Sequence, residues 1–176
     1  DGTWIYSDSI QKQANRIETN KEKFVKPKES NFLLKSTKND SAIWINTSKW
    51  VFSKAKSNPS AEYEFQLNGE DLYGMIITEG IGLPLDPLAK AVLENMGKAA
   101  PDKKLIMQEY RTVNDLDVMY MEYGGTLFNV MFMFSVYVYS DDSGSTQLMT
   151  WTAENLLEKY RPEIKDFLNG LVTHQQ

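Results

Sequence analysis

The side chains that most often do chemistry near neutral pH are scarce in this sequence. It contains no cysteine and one histidine, His174, third from the end of 176 residues. That excludes a thiolate nucleophile, a disulfide and a cysteine-based zinc or iron–sulfur site. A histidine triad or multi-histidine metal centre would have to rest on a residue of the chain end. Asp141, Asp142, Ser143 and Ser145 could offer oxygens to calcium, but their spacing is not that of an Asp-x-Asp-x-Asp-Gly loop, and they read as a solvated hairpin turn. Glu62 and Glu64 share one face of an alternating strand, about 7 Å apart, near the carboxylate separation of inverting glycosidases. The opposite face, Tyr63, Phe65 and Leu67, is apolar, so the two glutamates read as the wet side of a half-buried strand. Gly80-Ile81-Gly82 lacks the rest of a dinucleotide fingerprint and the lysine of a P-loop. No Gly-x-Ser-x-Gly elbow occurs, and no histidine of the body could activate a serine.

Softer groups remain. Met119, Met121, Met131 and Met133 form a methionine-rich set on two adjacent strands. Thioethers suit Cu(I), but methionine more often fills irregular gaps in a core. Trp44, Trp50, Tyr137, Tyr139 and Trp151 supply aromatic surface of the kind found at binding patches. The candidate ligand or partner surface is therefore Trp50, Met131, Met133, Tyr137, Tyr139 and Trp151. A cleft is expected between the sheet and a helix near Tyr137 and Tyr139. No residue pattern designates a catalytic group, a cofactor or a metal ligand. The sequence thus points to a non-enzymatic module that binds a protein partner or a small ligand. The alternative is a small-ligand binder or a carboxylate-based enzyme using a pocket on the same aromatic and methionine-rich face.

The totals agree with a single soluble domain. The net charge is −5, which gives no basic footprint for nucleic acid. Residues 1–41 carry eight Lys/Arg and six Asp/Glu, whereas residues 42–176 carry eleven and eighteen. This divides the chain into a polar leader, 1–41, and one domain, 42–176. No stretch of 18 or more apolar residues is present to span a membrane as a helix. In the leader, Ile10, Ile17 and Phe24 recur at spacing seven, a thin stripe that predicts a weak helix or irregular chain ending at Pro27. Trp4, Ile5 and Tyr6 are apolar enough to pin the start of the chain to the domain.

The body alternates between strand and helix signals. Phe32–Thr37, Ala42–Asn46 and Lys49–Ser53 are short β-type runs. Glu62–Leu67 and Leu72–Thr78 flank Asn68-Gly69, a strong hairpin signal. A helix is predicted over Leu85–Ala100, with Leu85, Leu88, Ala89, Val92, Leu93 and Met96 on one face. Leu105–Val113 and Val118–Tyr123 follow, with a break at Gly124-Gly125. Thr126–Ser140 then reads as one strand apolar on both faces, hence central and covered on both sides. Thr146–Thr152 returns beside it. A last helix, Ala153–Gly170, has Thr152 as N-cap and Pro162 as a kink or division. Tight turns between successive strands and two one-faced helices predict an α+β sandwich around a central antiparallel sheet.

This order, with the aromatic strand Phe132–Tyr139, the turn Asp142–Gly144, the strand Gln147–Thr152 and a helix closing in Phe167-Leu168, resembles the PsbP-like superfamily, including its DcrB-like bacterial envelope proteins. Trp50-Val51-Phe52 resembles their Trp-containing early strand. The resemblance covers residues 42–172. It implies a PsbP-like α/β/α sandwich and a non-enzymatic binding or assembly role. It also implies an exported protein, periplasmic or anchored as a lipoprotein, although the lipidated cysteine of such proteins is absent here. Function does not follow from fold, and the oligomeric state is not legible.

Overall fold

The computed structural model describes residues 16–174. Eleven strands and two helices follow in chain order among them. Strands β1 (Glu18–Phe24), β2 (Phe32–Lys35), β3 (Ser41–Ile45), β4 (Trp50–Lys54), β5 (Ala61–Leu67) and β6 (Tyr73–Glu79) precede helix α1 (Leu85–Ala99). Strands β7 (Lys104–Val113), β8 (Leu116–Leu127), β9 (Val130–Asp141) and β10 (Gly144–Ala153) follow. A 3-10 turn at Glu154–Leu156, helix α2 (Leu157–Leu168) and the short β11 (Leu171–Thr173) complete the fold.

Eight strands form one sheet in the order β1-β7-β8-β9-β10-β6-β5-β4, and β11-β3-β2 form a second, smaller sheet. All pairs are antiparallel except β1 with β7. The large sheet is covered differently on its two faces. On one, α1 packs Leu88, Ala89 and Val92 against Met119, Met121, Val136 and Val138. On the other, α2 and the small sheet pack Tyr160, Ile164, Phe167, Ile43 and Leu171 against Phe65, Ile76, Tyr137 and Leu148. The structure is thus an α+β sandwich with a central, mostly antiparallel sheet. Burial on both faces explains why β9 alternates between two sets of apolar residues.

Several elements differ from the sequence-based expectation. The Ile17/Phe24 stripe is not a helix: residues 18–24 are β1. Ile17 packs with the α1-side core and Phe24 with the α2-side core. A spacing of seven places residues on one face of a helix but on opposite faces of a strand. Arg111 holds β1 in place, its guanidinium 4.8 Å from the Phe24 ring and 3.7 Å from the Tyr120 ring. Residues 18–41, expected as a leader, therefore contribute β1, β2 and the first residue of β3. The Trp4-Ile5-Tyr6 expectation and Ile10 lie outside the described residues.

Gly124 and Gly125 do not break the chain but lie inside β8. A Cβ on Gly124 would stand 2.8 Å from Met133 Sδ, and one on Gly125 2.7 Å from the Ala100 Cβ. These glycines mark close packing across the sheet and under α1. The single strand expected over Thr126–Ser140 is interrupted at its start by a two-residue turn, Phe128-Asn129, with φ of 50° and 62°. Thr152 lies within β10 instead of capping a helix, and its hydroxyl donates to the Asp71 carbonyl at 2.7 Å. Pro162 lies inside α2 without dividing it, and Leu171 belongs to β11.

Candidate functional site

Helix α1 is 15 residues long and lies over β8 and β9. The same face of β10 and β6 extends beyond it. Strand alternation puts Met149 and Trp151 of β10 and Met75 and Ile77 of β6 on that face. The helix flank contributes Val92 and Met96, and together these groups enclose a cleft of about 440 Å³.

Its floor holds Trp151, Phe134 and Tyr123, part of an aromatic row that follows the sheet register and continues to Tyr73 beyond the cleft. Tyr73 lies opposite Trp151, Trp151 opposite Phe134, and Phe134 opposite Tyr123. The ring centroids are 6.0, 6.4 and 5.2 Å apart, and all three pairs are stacked. Directly opposed cross-strand residues have their Cβ atoms about 5 Å apart, which brings four aromatics on four strands into contact. Burial pushes the Tyr123 phenol far above its ordinary value and keeps it neutral. The polar groups of the lining are mostly uncharged, Asn58, Ser60, Asn95 and Gln147, with Glu79 the one carboxylate. Asn58 donates to Met75 Sδ at 3.8 Å. Chemically the cleft offers a flat apolar floor, a polarizable methionine wall and an amide rim. It offers no cation.

The residues expected to form a binding surface are separated by the sheet. Trp151 alone of the six lies in this cleft. Trp50 is core, 4.4 Å from the Phe167 ring. Tyr137 is fully buried and donates to Asn169 Oδ1 at 2.6 Å. Met133 is buried, and Met131 lies partly exposed near the β8–β9 turn. Tyr139 is half-buried and donates to Asp141 Oδ2 at 3.0 Å. A cleft of about 300 Å³ does lie beside Tyr137, between the sheet and α2, with Arg111, Tyr120, Arg161 and Lys165 in its lining but not Tyr139; the apolar cleft under α1 is a separate one on the opposite face. The methionine set is also divided. Met119 and Met121 belong to the α1-side core, whereas Met133 belongs to the α2-side core. The methionines of the cleft are Met75, Met96 and Met149. Even spacing along β9 and β10 shows which residues share a face, but not which face stays open.

The carboxylates weighed for chemistry are held by structural partners. Glu62 sits at a register shift in β5, and such a bulge re-aims a side chain. It accepts from Ser36 Oγ at 2.7 Å, Thr37 N at 2.6 Å, Thr37 Oγ1 at 2.7 Å and Thr78 Oγ1. Burial raises its carboxyl, but these donors outweigh that and hold it below the usual range. Glu64 accepts instead from Lys56 N and from the Ser57 backbone and hydroxyl. Asp141 accepts from Ser143 N at 2.8 Å and Ser143 Oγ at 2.6 Å inside its own turn. Among the described residues, no group of three or more histidines and carboxylates is arranged to hold a metal ion. No helix among them is long and apolar enough to cross a membrane.

Comparison of the sequence with family models and with curated proteins finds no match. Solved structures do match. The cyanobacterial PsbP (CyanoP) of Synechocystis sp. PCC 6803 superposes with a TM-score of 0.61 at 14% identity, covering 84% of this chain and 95% of that one. PA94 of Pseudomonas aeruginosa, a protein of unknown function, gives 0.54 at 14% identity, covering 82% and 98%. At such identity the likeness is one of fold, and it spans nearly the whole of both neighbours: the chain has the PsbP-like fold.

Proposed function

We propose that the protein is an exported, non-enzymatic binding module whose cleft between α1 and the open face of β6, β9 and β10 holds an uncharged apolar guest, a flat ring system or an acyl chain. The observation that carries this reading is the stacked row Trp151–Phe134–Tyr123 at the floor of an open cavity. Sites for small molecules are concave and mostly apolar, with a few polar groups for orientation. The cleft has that composition, and the carboxylates that might have served catalysis are occupied elsewhere. Export rests on the resemblance to bacterial envelope proteins, and cell fractionation tests it.

Binding is tested by titration with the uncharged fluorescent probe N-phenyl-1-naphthylamine. The expected result is saturable one-to-one binding and a rise in Tm with probe concentration, because a ligand of the native state stabilises by mass action. Trp151→Ala, which removes the largest ring of the floor, should weaken binding about tenfold or more, equal to about 1.4 kcal/mol. Non-saturable binding, or a Trp151→Ala protein that binds as the parent does, would sink the proposal.

A further inference from the structure

The β8–β9 hairpin carries a feature that folding does not require. Two turns of the molecule share one backbone geometry. In the β7–β8 hairpin, Asn114 and Asp115 have φ of 49° and 65°; in the β8–β9 hairpin, Phe128 and Asn129 have φ of 50° and 62°. Positive φ at both positions of a two-residue hairpin favours Asn, Asp and Gly. The first turn has those residues. The second places Phe at its first position, and that ring is 95% exposed. Phe128 therefore combines an uncommon backbone conformation for a bulky residue with full loss of burial.

Its surroundings extend the pattern. Strand β7 begins opposite Gly124, and β10 ends opposite Phe132. The tip of the hairpin, residues 126–131, thus projects beyond both neighbours. Val130 and Met131 are exposed beside Phe128, and Leu105 and Ile106 are exposed on the adjoining strand. No charged residue occurs between Glu122 and Asp141. Charge gathers at the foot of the projection. Residues 98–104 hold Lys98, Lys103 and Lys104 against one acid, Asp102. Asp102 accepts from Thr126 N at 3.0 Å and from Thr126 Oγ1 at 2.7 Å, which fixes this segment two residues from Phe128. Lys104 pairs with Gly124, about 13 Å along the strand from the tip. An apolar tip of this reach, with lysines at its foot, matches an interfacial layer in which apolar groups sink about 5–10 Å and lysines remain at the headgroups.

We propose that the β8–β9 tip docks the protein onto a bilayer surface bearing anionic headgroups, with Phe128, Val130 and Met131 entering the interface and Lys98 and Lys104 contacting phosphates. The docking is superficial, and no segment crosses the membrane. It does not depend on the cleft holding a guest, although Phe128 also stands at the cleft rim.

The test is sedimentation of the intact chain with vesicles of phosphatidylcholine, with and without phosphatidylglycerol. The protein should pellet with the mixed vesicles and release as salt rises, since headgroup attraction is screened. Phe128→Asn should weaken vesicle binding at least tenfold while keeping or raising the Tm, because Asn adopts this turn conformation readily. The double variant K98Q/K104Q should lose the preference for anionic vesicles. If the parent stays in solution, or Phe128→Asn pellets equally well, the proposal is overturned. It is also overturned if Phe128→Asn abolishes self-association and leaves vesicle binding intact, since the tip would then be a contact between copies. Sedimentation is read without probe and probe binding without vesicles, so failure of either reading leaves the other standing.

Discussion

Glu122 is 4% exposed, on the sheet face that carries α2. Its carboxylate accepts from Tyr120 at 2.9 Å and from both terminal nitrogens of Arg161, at 3.2 and 3.1 Å. Arg161 comes from α2, so this fork ties helix to sheet through two parallel charge-assisted bonds. Removing one partner of such a pair costs more than the pair contributes, because the other charge is left buried. Arg161→Ala is expected to destabilise by about 2–3 kcal/mol by urea denaturation, the half-exposed arginine placing it below a fully buried pair. Arg161→Met with Glu122→Gln should recover much of the loss. Nothing local in the sequence marks this pair, whose members are 39 positions apart. Tyr137 shows the same limit: its type and strand position identify an aromatic surface residue as readily as the buried donor it is.

At the scale of elements, α1 was legible because its apolar residues recur at helical spacing over four turns and Pro101 follows its end. The hairpin at Asn68-Gly69 was legible because Gly69 adopts φ of 73° and the flanking strands alternate. The β8–β9 turn was hidden because Phe128 is the wrong residue type for its conformation. Gly124-Gly125, which reads as a break, lies inside β8, and Gly125 is the seat of the end of α1. Gly125→Val would drive a side chain into Ala100 and Met96. Overpacking of this kind costs about 1–3 kcal/mol. The variant should show that loss in Tm, together with faster amide exchange in the last turn of α1 and altered probe binding, since Met96 walls the cleft. Exchange unchanged from the parent would show that the helix is not seated there.

At the scale of the whole molecule, the small sheet is fastened to the large one by polar ties. Asn39 donates to the Ser145 carbonyl at 3.0 Å and to Thr146 Oγ1 at 3.1 Å. Glu62 gathers Ser36 and Thr37 of the β2–β3 connection together with Thr78 of the large sheet. Because its folded carboxyl titrates below the unfolded value of about 4.3, its contribution is present above that pH and is lost as pH falls through the folded value. The stability difference between parent and Glu62→Gln should therefore be largest at pH 6–7 and shrink below about pH 4. Asp166 works in the opposite sense: burial, Glu163 and Glu29 raise its carboxyl, and subtracting the two proteins cancels it. Urea midpoints across pH measure the difference, and a constant value would exclude Glu62 as the acid-sensitive tie.

The sequence alone determined the absence of thiol and histidine chemistry from the body, the positions of both helices and most strands, and the doubly apolar character of β9. These follow from residue types and local periodicity, which act over a few residues. It did not determine that residues 18–24 join the sheet in parallel beside β7, because that pairing spans about ninety positions and is fixed by Phe24 and Asn20 meeting Arg111 and Glu109. Nor did it determine which face of the sheet stays open. That depends on α1 covering only β8 and β9, which leaves β6 and β10 open beside it, while α2 and the small sheet pack over the far side. Such an outcome rests on the relative size and placement of layers, which only the packed molecule decides.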